Sequence, residues 1–339
     1  MARARAMFVD AVHPNDWAKG HRSLGGWVQA NAPFSPEELF EIFAAGAAGP
    51  SVVFFNYEVS KNVFSRQEGA PTKPEHLPAA SDGGFDGYSA RVKATLNGAR
   101  YCLRMTEPHV GSHEVYERLI RLVAPLEGIL AAESRAVRTT VFVGDYEYTP
   151  FGVHVDPYPQ IQCAISGERT ALFWDDPYWA DKSPEDRLAP WNHLAAAHEL
   201  KMPAGDAVYW APAYEHAFSS RGEHAIALTI SFPEVPPPDS AVEVLRRKSA
   251  HHFLNVPPVR SAREHAKGQL FCGNPLFPIT IAGDGKLVAA GRIFEISGIP
   301  ELAAFVARVA HSPFRYSDLD DTGRALVDVF YTHYAIDVV

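Results

Sequence analysis

The sequence predicts a mainly β protein: a double-sheet jelly-roll barrel with flanking helices, followed by a smaller α+β region. Three observations carry that expectation. From residue 138 to 232 the chain breaks into short runs of apolar or alternating residues, separated by Gly and Pro turns, as strands require. Two stretches of helical pattern precede those runs and feed the barrel. A stiff connector, Pro233-Glu-Val-Pro-Pro-Pro238, then marks the clearest boundary, dividing residues 1–235 from 236–339.

Residues 1–34 read as irregular, with Gly25-Gly26, Trp17 and Trp27. Ser35-Pro36-Glu37-Glu38 opens a helix: Ser35 caps it, Pro36 suits its first turn and Glu38 completes a capping box. Leu39, Phe40, Ile42 and Phe43 form its apolar stripe, and Gly46 and Gly49-Pro50 end it. Ser51-Val-Val-Phe-Phe55 is a short strand. Residues 65–90, rich in Pro, Gly, Ser and Asp, read as a long surface loop that either stands by or covers a site. Arg100-Tyr-Cys-Leu-Arg-Met105 is a strand, and residues 112–134 are helical, divided or kinked at Pro125.

The period then changes to two. Strands are expected at Thr139-Thr-Val-Phe-Val143, Gln160-Ile-Gln-Cys-Ala-Ile165, Arg169-Thr-Ala-Leu-Phe-Trp174, Ala207-Val-Tyr-Trp210 and His224-Ala-Ile-Ala-Leu-Thr-Ile-Ser-Phe232. Residues 175–198 read as an insertion with a short helix. Beyond the connector, Asp239 is placed to cap a helix running to about Phe253. A hairpin is expected at Gly283-Asp-Gly285, and helices near 299–311 and 319–335. A hairpin among helices is compatible with a winged-helix-like domain.

Composition bounds the function classes. The 339 residues carry a net charge of −9, against the basic surface that nucleic-acid binding requires. Three cysteines, Cys102, Cys163 and Cys272, stand far apart with no CxxC pair, which fits buried thiols in a reducing cytoplasm better than disulfides or structural zinc. The N-terminus lacks the apolar run of a signal peptide, and no window reaches the length needed to span a bilayer.

Within the strand-rich region, Thr149-Pro-Phe-Gly-Val-His-Val-Asp-Pro-Tyr158 offers His154 and Asp156 two residues apart. With 15 histidines in the chain, an HxD arises about once by chance, so its setting must decide. On a strand, residues i and i+2 share a face, so both side chains can approach one metal. His216, after Gly205-Asp-Ala-Val-Tyr-Trp-Ala-Pro and on a turn leading out of a strand, completes a set of two histidines and one carboxylate. That set is the facial triad of non-haem iron sites. A dicarboxylate cosubstrate would need a buried cation, and Arg169 opens the returning strand with the fork that holds a carboxylate bidentately. Gln160, Gln162 and Tyr158 share the parity of His154 and Asp156 and face the same interior if the strand runs on without a bulge.

Other conspicuous residues have plainer readings. Adjacent His251 and His252 diverge by about 100° on a helix and make a poor metal pair. Asp318, Asp320 and Asp321 suit helix capping. Phe173, Trp174, Tyr178, Trp179 and Trp191 read as core and rim.

The segments Phe151-Gly-Val-His-Val-Asp-Pro-Tyr158, Gly167-Glu-Arg169 and Gly205-Asp-Ala-Val-Tyr-Trp-Ala-Pro-Ala-Tyr-Glu-His216 resemble JmjC-type, cupin-like 2-oxoglutarate oxygenases, most of all their bacterial and ribosomal-oxygenase branch. The resemblance covers about residues 138–232. It implies a double-stranded β-helix in which His154, Asp156 and His216 bind Fe(II) and Arg169 anchors the distal carboxylate of 2-oxoglutarate. It further implies consumption of O2, release of succinate and CO2, and hydroxylation of a C–H bond. It also implies a C-terminal segment for dimerisation, hence a homodimer through 236–339, or for substrate contact. Phe151 departs from the pattern, since several members carry Thr or Ser three residues before the first histidine. A peptide or protein substrate is expected. Two alternatives stay open: a cupin-type metalloenzyme that does not use 2-oxoglutarate, and a non-catalytic protein-binding module.

Overall fold

The computed structural model describes residues 21–24, 34–46, 52–61, 63–65, 72–123, 135–212, 214–236, 238–253, 255–257, 265, 269–282, 286–295, 302–333 and 335–338. The expectations for residues 1–20, Gly25-Gly26, Trp27, Gly49-Pro50, Pro125 and Gly283-Asp-Gly285 lie outside them. The chain divides into two compact units, residues 1–112 with 138–233, and residues 113–137 with 234–339. Among the described residues no helix is long and apolar enough to cross a membrane.

The first unit is a jelly roll. Its strands are β1 His21–Leu24, β2 Val52–Ser60, β3 Val63–Phe64, β4 Tyr101–Thr106, β5 Arg138–Gly144, β6 Gln160–Ser166, β7 Arg169–Trp174, β8 His198–Met202, β9 Ala207–Trp210, β10 Glu215–Ser219 and β11 Ala225–Ser231. Eight form an antiparallel sheet in the order β1-β9-β6-β11-β5-β4-β2-β3, and three form a second sheet, β10-β7-β8. Alternation assigns the two faces of the large sheet. Leu103, Met105, Val141, Val143, Ile161, Ile226, Leu228 and Ile230 are buried on one face. The other carries Phe54, Arg104, Thr140, Phe142, Gln160, Gln162, Thr229 and Ser231, all lining a cavity. This second face is polar because it encloses that cavity instead of packing against an apolar layer.

The helix Pro36–Gly46 starts as its capping box demands: Glu38 N–H donates to Ser35 Oγ at 3.2 Å, and Ser35 N–H donates to Glu38 Oε2 at 2.8 Å. Its buried Phe40 and Phe43 meet the Phe85 ring edge-on at 5.4 and 5.8 Å.

Residues 72–90 are not the open loop that their composition suggests. They form short helical turns at Pro74–His76 and Ala80–Asp82, then enter the helix Phe85–Thr95. Arg91 ties them down, donating to Asp82 Oδ1 at 2.6 Å, to Glu75 O at 2.6 Å and to Leu77 O at 2.7 Å. The buried Tyr88 hydroxyl donates to His76 O at 2.7 Å. Gly87 weakens the helical pattern, yet it is required there, because a Cβ would collide with the Asp82 carbonyl.

In the second unit the helix of the 112–134 stretch is described over His113–Val123. The helix Ala241–Ser249 is capped by Ser240, whose Oγ accepts from Glu243 N–H at 3.2 Å, and not by Asp239. A serine hydroxyl one residue nearer the first turn reaches the free amide that an aspartate farther out does not. β12 Leu270–Gly273 pairs with β16 Phe314–Arg315 and β17 Ile336–Val338. β13 Thr280–Ala282, β14 Lys286–Ala289 and β15 Arg292–Glu295 form an antiparallel meander, and the expected hairpin is the β13–β14 pairing. The helices Leu302–His311 and Asp321–Thr332 pack Val309, Val327 and Phe330 onto Phe271 and Ile336. Asp320 caps the second of them, accepting from Gly323 N–H at 2.7 Å.

Candidate metal centre

His154 and Asp156 do not lie on a continuous strand, as i, i+2 geometry would need. β5 ends at Gly144 and β6 begins at Gln160. Pro150, Gly152, Pro157 and Pro159 interrupt the segment between, so ladder pairing shrinks to one rung. That rung pairs His154 with His216: each N–H donates to the other's carbonyl, at 3.0 and 2.9 Å. His216 itself sits on strand β10, opposite Phe173 of β7, and not on a turn. The single rung sets the two imidazoles side by side, 4.3 Å between centroids.

Gly152 makes the approach feasible. Its φ is +65°, and a Cβ there would collide with the Arg187 carbonyl, the carbonyl that accepts from Val153 N–H at 2.7 Å. Gly152→Ala is expected to cost about 1–3 kcal/mol through backbone strain and to weaken metal binding by shifting His154. Urea unfolding and a metal titration check this, and wild-type values in both would contradict it.

The tautomers follow from the partners. His154 Nδ1 lies 3.1 Å from Gly152 O, and His216 Nδ1 lies 2.8 Å from Tyr214 O. A carbonyl only accepts, so each Nδ1 carries the proton and each Nε2 keeps its lone pair. Those lone pairs converge on Asp156, whose Oδ2 is 3.6 Å from His154 Nε2 and 3.2 Å from His216 Nε2. One ligand atom from each residue lies within 4.8 Å of the others, as one metal ion requires. Burial, with repulsion from His216 whenever that ring is protonated, pushes His154 down to about 4, so its imidazole is neutral at physiological pH. For Asp156, burial acts upward, but the hydrogen bond and charge that His216 offers when it is protonated, the charge of a protonated His154 and the Gln160 hydrogen bond outweigh it and hold the carboxyl below its ordinary value.

Gln160 orients the carboxylate. Its Nε2 donates to Asp156 Oδ2, and Ser231 Oγ–H donates to its Oε1 at 2.8 Å. Gln160→Ala is therefore expected to lower metal affinity about 10- to 100-fold with the fold intact. Calorimetric titration with Mn(II) reads this; a change under about twofold would show that Asp156 needs no holding partner.

A cavity of about 840 Å³ opens on the three ligands, and Tyr158, Gln160 and Gln162 line it. Gln162 Nε2 donates to Thr229 Oγ1 at 2.9 Å, while its Oε1 and the Thr149 hydroxyl, also on the wall, have no partner among the described residues. Burial raises the pKa of Tyr158, with Asp156 adding to the shift, so its phenol stays protonated.

Arg169 is 1% exposed, on the β7 face that also carries Ala171 and Phe173. Its Nη1 donates to the Tyr146 hydroxyl, and its guanidinium lies 5.1 Å from the Tyr146 ring and 5.7 Å from the Phe218 ring. Nε and Nη2 have no partner among the described residues. Phe218 lines the cavity, whereas Arg169 stands one ring behind that wall.

Sequence reasoning overlooked Arg104, a cavity residue on β4. Strand alternation assigns it to the polar face, but nothing local shows what that face encloses. Phe151, the family departure, packs edge-on against His154 at 4.8 Å and also lines the cavity. Trp174 and Trp179 pack with Tyr148, Val153 and Leu172 behind the small sheet, with Tyr178 and Trp191 against them. None of these five tryptophan and tyrosine side chains is on the cavity wall. His251 and His252 follow the helix end in left-handed conformations, and His251 Nε2 lies 2.6 Å from Leu276 O.

No family model matches the sequence, and no curated protein matches it either. Among solved structures, YcfD, a ribosomal oxygenase from Escherichia coli in complex with cobalt and 2-oxoglutarate, is similar over 95% of this chain and 95% of its own, with a TM-score of 0.50 and 12% identity. The E. coli YcfD complex with cobalt and succinic acid covers 90% of this chain and 91% of its own, with a TM-score of 0.46 and 12% identity. Another crystal structure of the E. coli protein covers 91% of each chain, with a TM-score of 0.47 and 13% identity. At such identity the likeness is one of fold.

Proposed function

We propose that this chain is an Fe(II)- and 2-oxoglutarate-dependent oxygenase that hydroxylates a C–H bond of a peptide or protein side chain and releases succinate and CO2. The observation that carries the reading is the convergence of two Nε2 lone pairs and one carboxylate oxygen on a polar cavity. Two histidines and one carboxylate on one side of a metal leave its other positions open, the arrangement used by non-haem Fe(II) oxygenases. His154, Asp156 and His216 hold the metal, and Gln160 orients the carboxylate.

The buried Arg169, with two nitrogens unpartnered among the described residues, fits the distal carboxylate of 2-oxoglutarate. An uncompensated buried cation is costly, and an anion supplied on binding removes that cost. Gln162, Thr149 and Tyr158 offer further hydrogen bonds along the cavity. Bound Fe(II) would supply O2 activation coupled to oxidative decarboxylation of the cosubstrate. The chain's part is to fix the ligand tautomers, orient both organic molecules and keep water from the centre. The fold shared with a ribosomal oxygenase in complex with 2-oxoglutarate supports the reading and favours a protein substrate, and we place the protein in the cytoplasm on its cysteine usage alone. Residues 236–339 are assigned to dimerisation or to substrate contact.

The test is succinate formation from 2-oxoglutarate with Fe(II), O2 and candidate peptides. Absence of any turnover, coupled or uncoupled, with metal demonstrably bound overturns the proposal. One observation favours a second reading, a cupin-type metalloenzyme that does not use 2-oxoglutarate: Arg169 is not on the cavity wall. Turnover independent of 2-oxoglutarate, unchanged in Arg169→Ala, would establish that reading instead.

A further inference from the structure

We infer that Arg104 is the substrate-recognising cation of this cavity, and that the substrate group delivered to the metal centre carries a carboxylate. The inference rests on the oxygenase reading above.

Arg104 occupies the middle strand of β2-β4-β5, in register with Phe54 on one side and Phe142 on the other. All three residues line the cavity. The guanidinium lies 4.2 Å from the Phe54 ring and 5.9 Å from the Phe151 ring. Cation–π contact of this kind uses none of the N–H donors and leaves them for a ligand. No carboxylate or carbonyl among the described residues takes them, and Nε is buried without a partner. Other arginines of this unit are paired: Arg91 with Asp82, and Arg187 with Glu215.

The rest of the wall sharpens the selection. Among the described residues its sole carboxylate is Asp156, which the metal takes. The remaining polar groups nearby, Asn56, Ser65, Thr140 and Ser231, are neutral. A lysine or arginine side chain entering the cavity would meet a fixed positive charge and no counterion. A carboxylate would find a planar, desolvated fork that binds it bidentately. Phe151 touches both Arg104 and His154, so one aromatic ring separates the recognising cation from a metal ligand. The two arginines, neither with a carboxylate partner among the described residues, thus divide the anions: Arg169 on the small sheet serves the cosubstrate, and Arg104 on the large sheet serves the substrate.

The test uses the full chain loaded with Co(II), with and without 2-oxoglutarate, titrated with blocked pentapeptides of Gly flanking a central Asp, Asn or Arg, and with free N-acetylaspartate. Binding is read by tryptophan fluorescence, since Trp210 lines the cavity. The Asp peptide is expected to bind roughly 10- to 100-fold tighter than the Asn peptide, with the Arg peptide weakest. Arg104→Gln should bring the Asp-to-Asn ratio to about one, and Arg104→Lys should keep part of it. Either aspartyl probe supports a carboxylate site; tighter binding of the peptide assigns it to polypeptides, and tighter binding of N-acetylaspartate to small acids. Equal affinity for the Asp and Asn peptides, preference for the Arg peptide, or a ratio unmoved by Arg104→Gln overturns the proposal. Cosubstrate binding is followed separately, by the charge-transfer absorption of the anaerobic Fe(II) protein with 2-oxoglutarate. Its loss in Arg104→Gln also overturns the proposal, because Arg104 would then hold the cosubstrate. Its absence in the wild type overturns the oxygenase reading alone, and the titrations without 2-oxoglutarate still decide on Arg104.

Discussion

Replacing His216 by alanine is expected to abolish turnover and to lower metal affinity by more than about 100-fold, beyond the 10- to 100-fold range of outer-shell partners. His216 is 1% exposed, its tautomer is set by the Tyr214 carbonyl, and its Nε2 is the ligand nearest Asp156. No other histidine, cysteine or carboxylate joins this set among the described residues, so no neighbour can take over. The imidazole also packs against Trp210 at 5.0 Å and Phe218 at 5.8 Å. The variant should therefore lose some stability as well, and circular dichroism must show that it is folded before the Mn(II) titration is read. Asp156→Ala offers the same test at a position with less packing, 20% exposed at its side chain. Wild-type affinity in both variants would mean that the metal is held elsewhere.

Arg169→Met is expected to give two effects of opposite sign. In the metal-free, cosubstrate-free protein it removes a buried cation whose Nε and Nη2 have no partner among the described residues, so the unfolding free energy should rise, on the order of 1 kcal/mol or more. Methionine follows the arginine stem without forcing the surrounding packing. The gain is tempered by loss of the Tyr146 hydrogen bond and of the Phe218 contact. Affinity for 2-oxoglutarate should fall about 30-fold or more, as expected when one partner of a buried charge pair is removed. Urea unfolding in EDTA reads the first effect, and equilibrium binding to the anaerobic Fe(II) protein reads the second. A less stable variant that binds 2-oxoglutarate as well as wild type would show that Arg169 is a structural cation and does not hold the cosubstrate.

Much of the fold was legible because the jelly-roll strands are short apolar or alternating runs bounded by Gly and Pro turns. Strands expected at 169–174 and 207–210 match β7 and β9 in both bounds, and β5, β6 and β11 differ by a residue or two. Strands β8 and β10 escaped. His198-Glu-Leu-Lys-Met202 is largely exposed and offers only two apolar residues, Leu200 and Met202, to mark it, and β10 is short and follows Pro212. The helix Phe85–Thr95 escaped for a different reason: Gly83, Gly84 and Gly87 read as loop, yet Gly87 is there to let the helix approach a turn.

For the centre, sequence alone determined which residue types were on offer: an HxD pair, a distal histidine and an arginine at the start of the returning strand. It could do so because ligand chemistry is a property of side-chain type, and short spacings limit where a side chain can reach. Only the tertiary structure decided how those side chains meet. The rung between His154 and His216 joins residues 62 positions apart by two backbone hydrogen bonds, and no local pattern specifies a single rung. The carbonyls of Gly152 and Tyr214, which leave both Nε2 lone pairs free, are backbone groups and carry no residue signature. Arg104 shows the same division. Alternation assigns it to the polar face of β4, but whether that face meets solvent, another charge or a cavity depends on closure of the barrel, and closure is a long-range property of the folded chain.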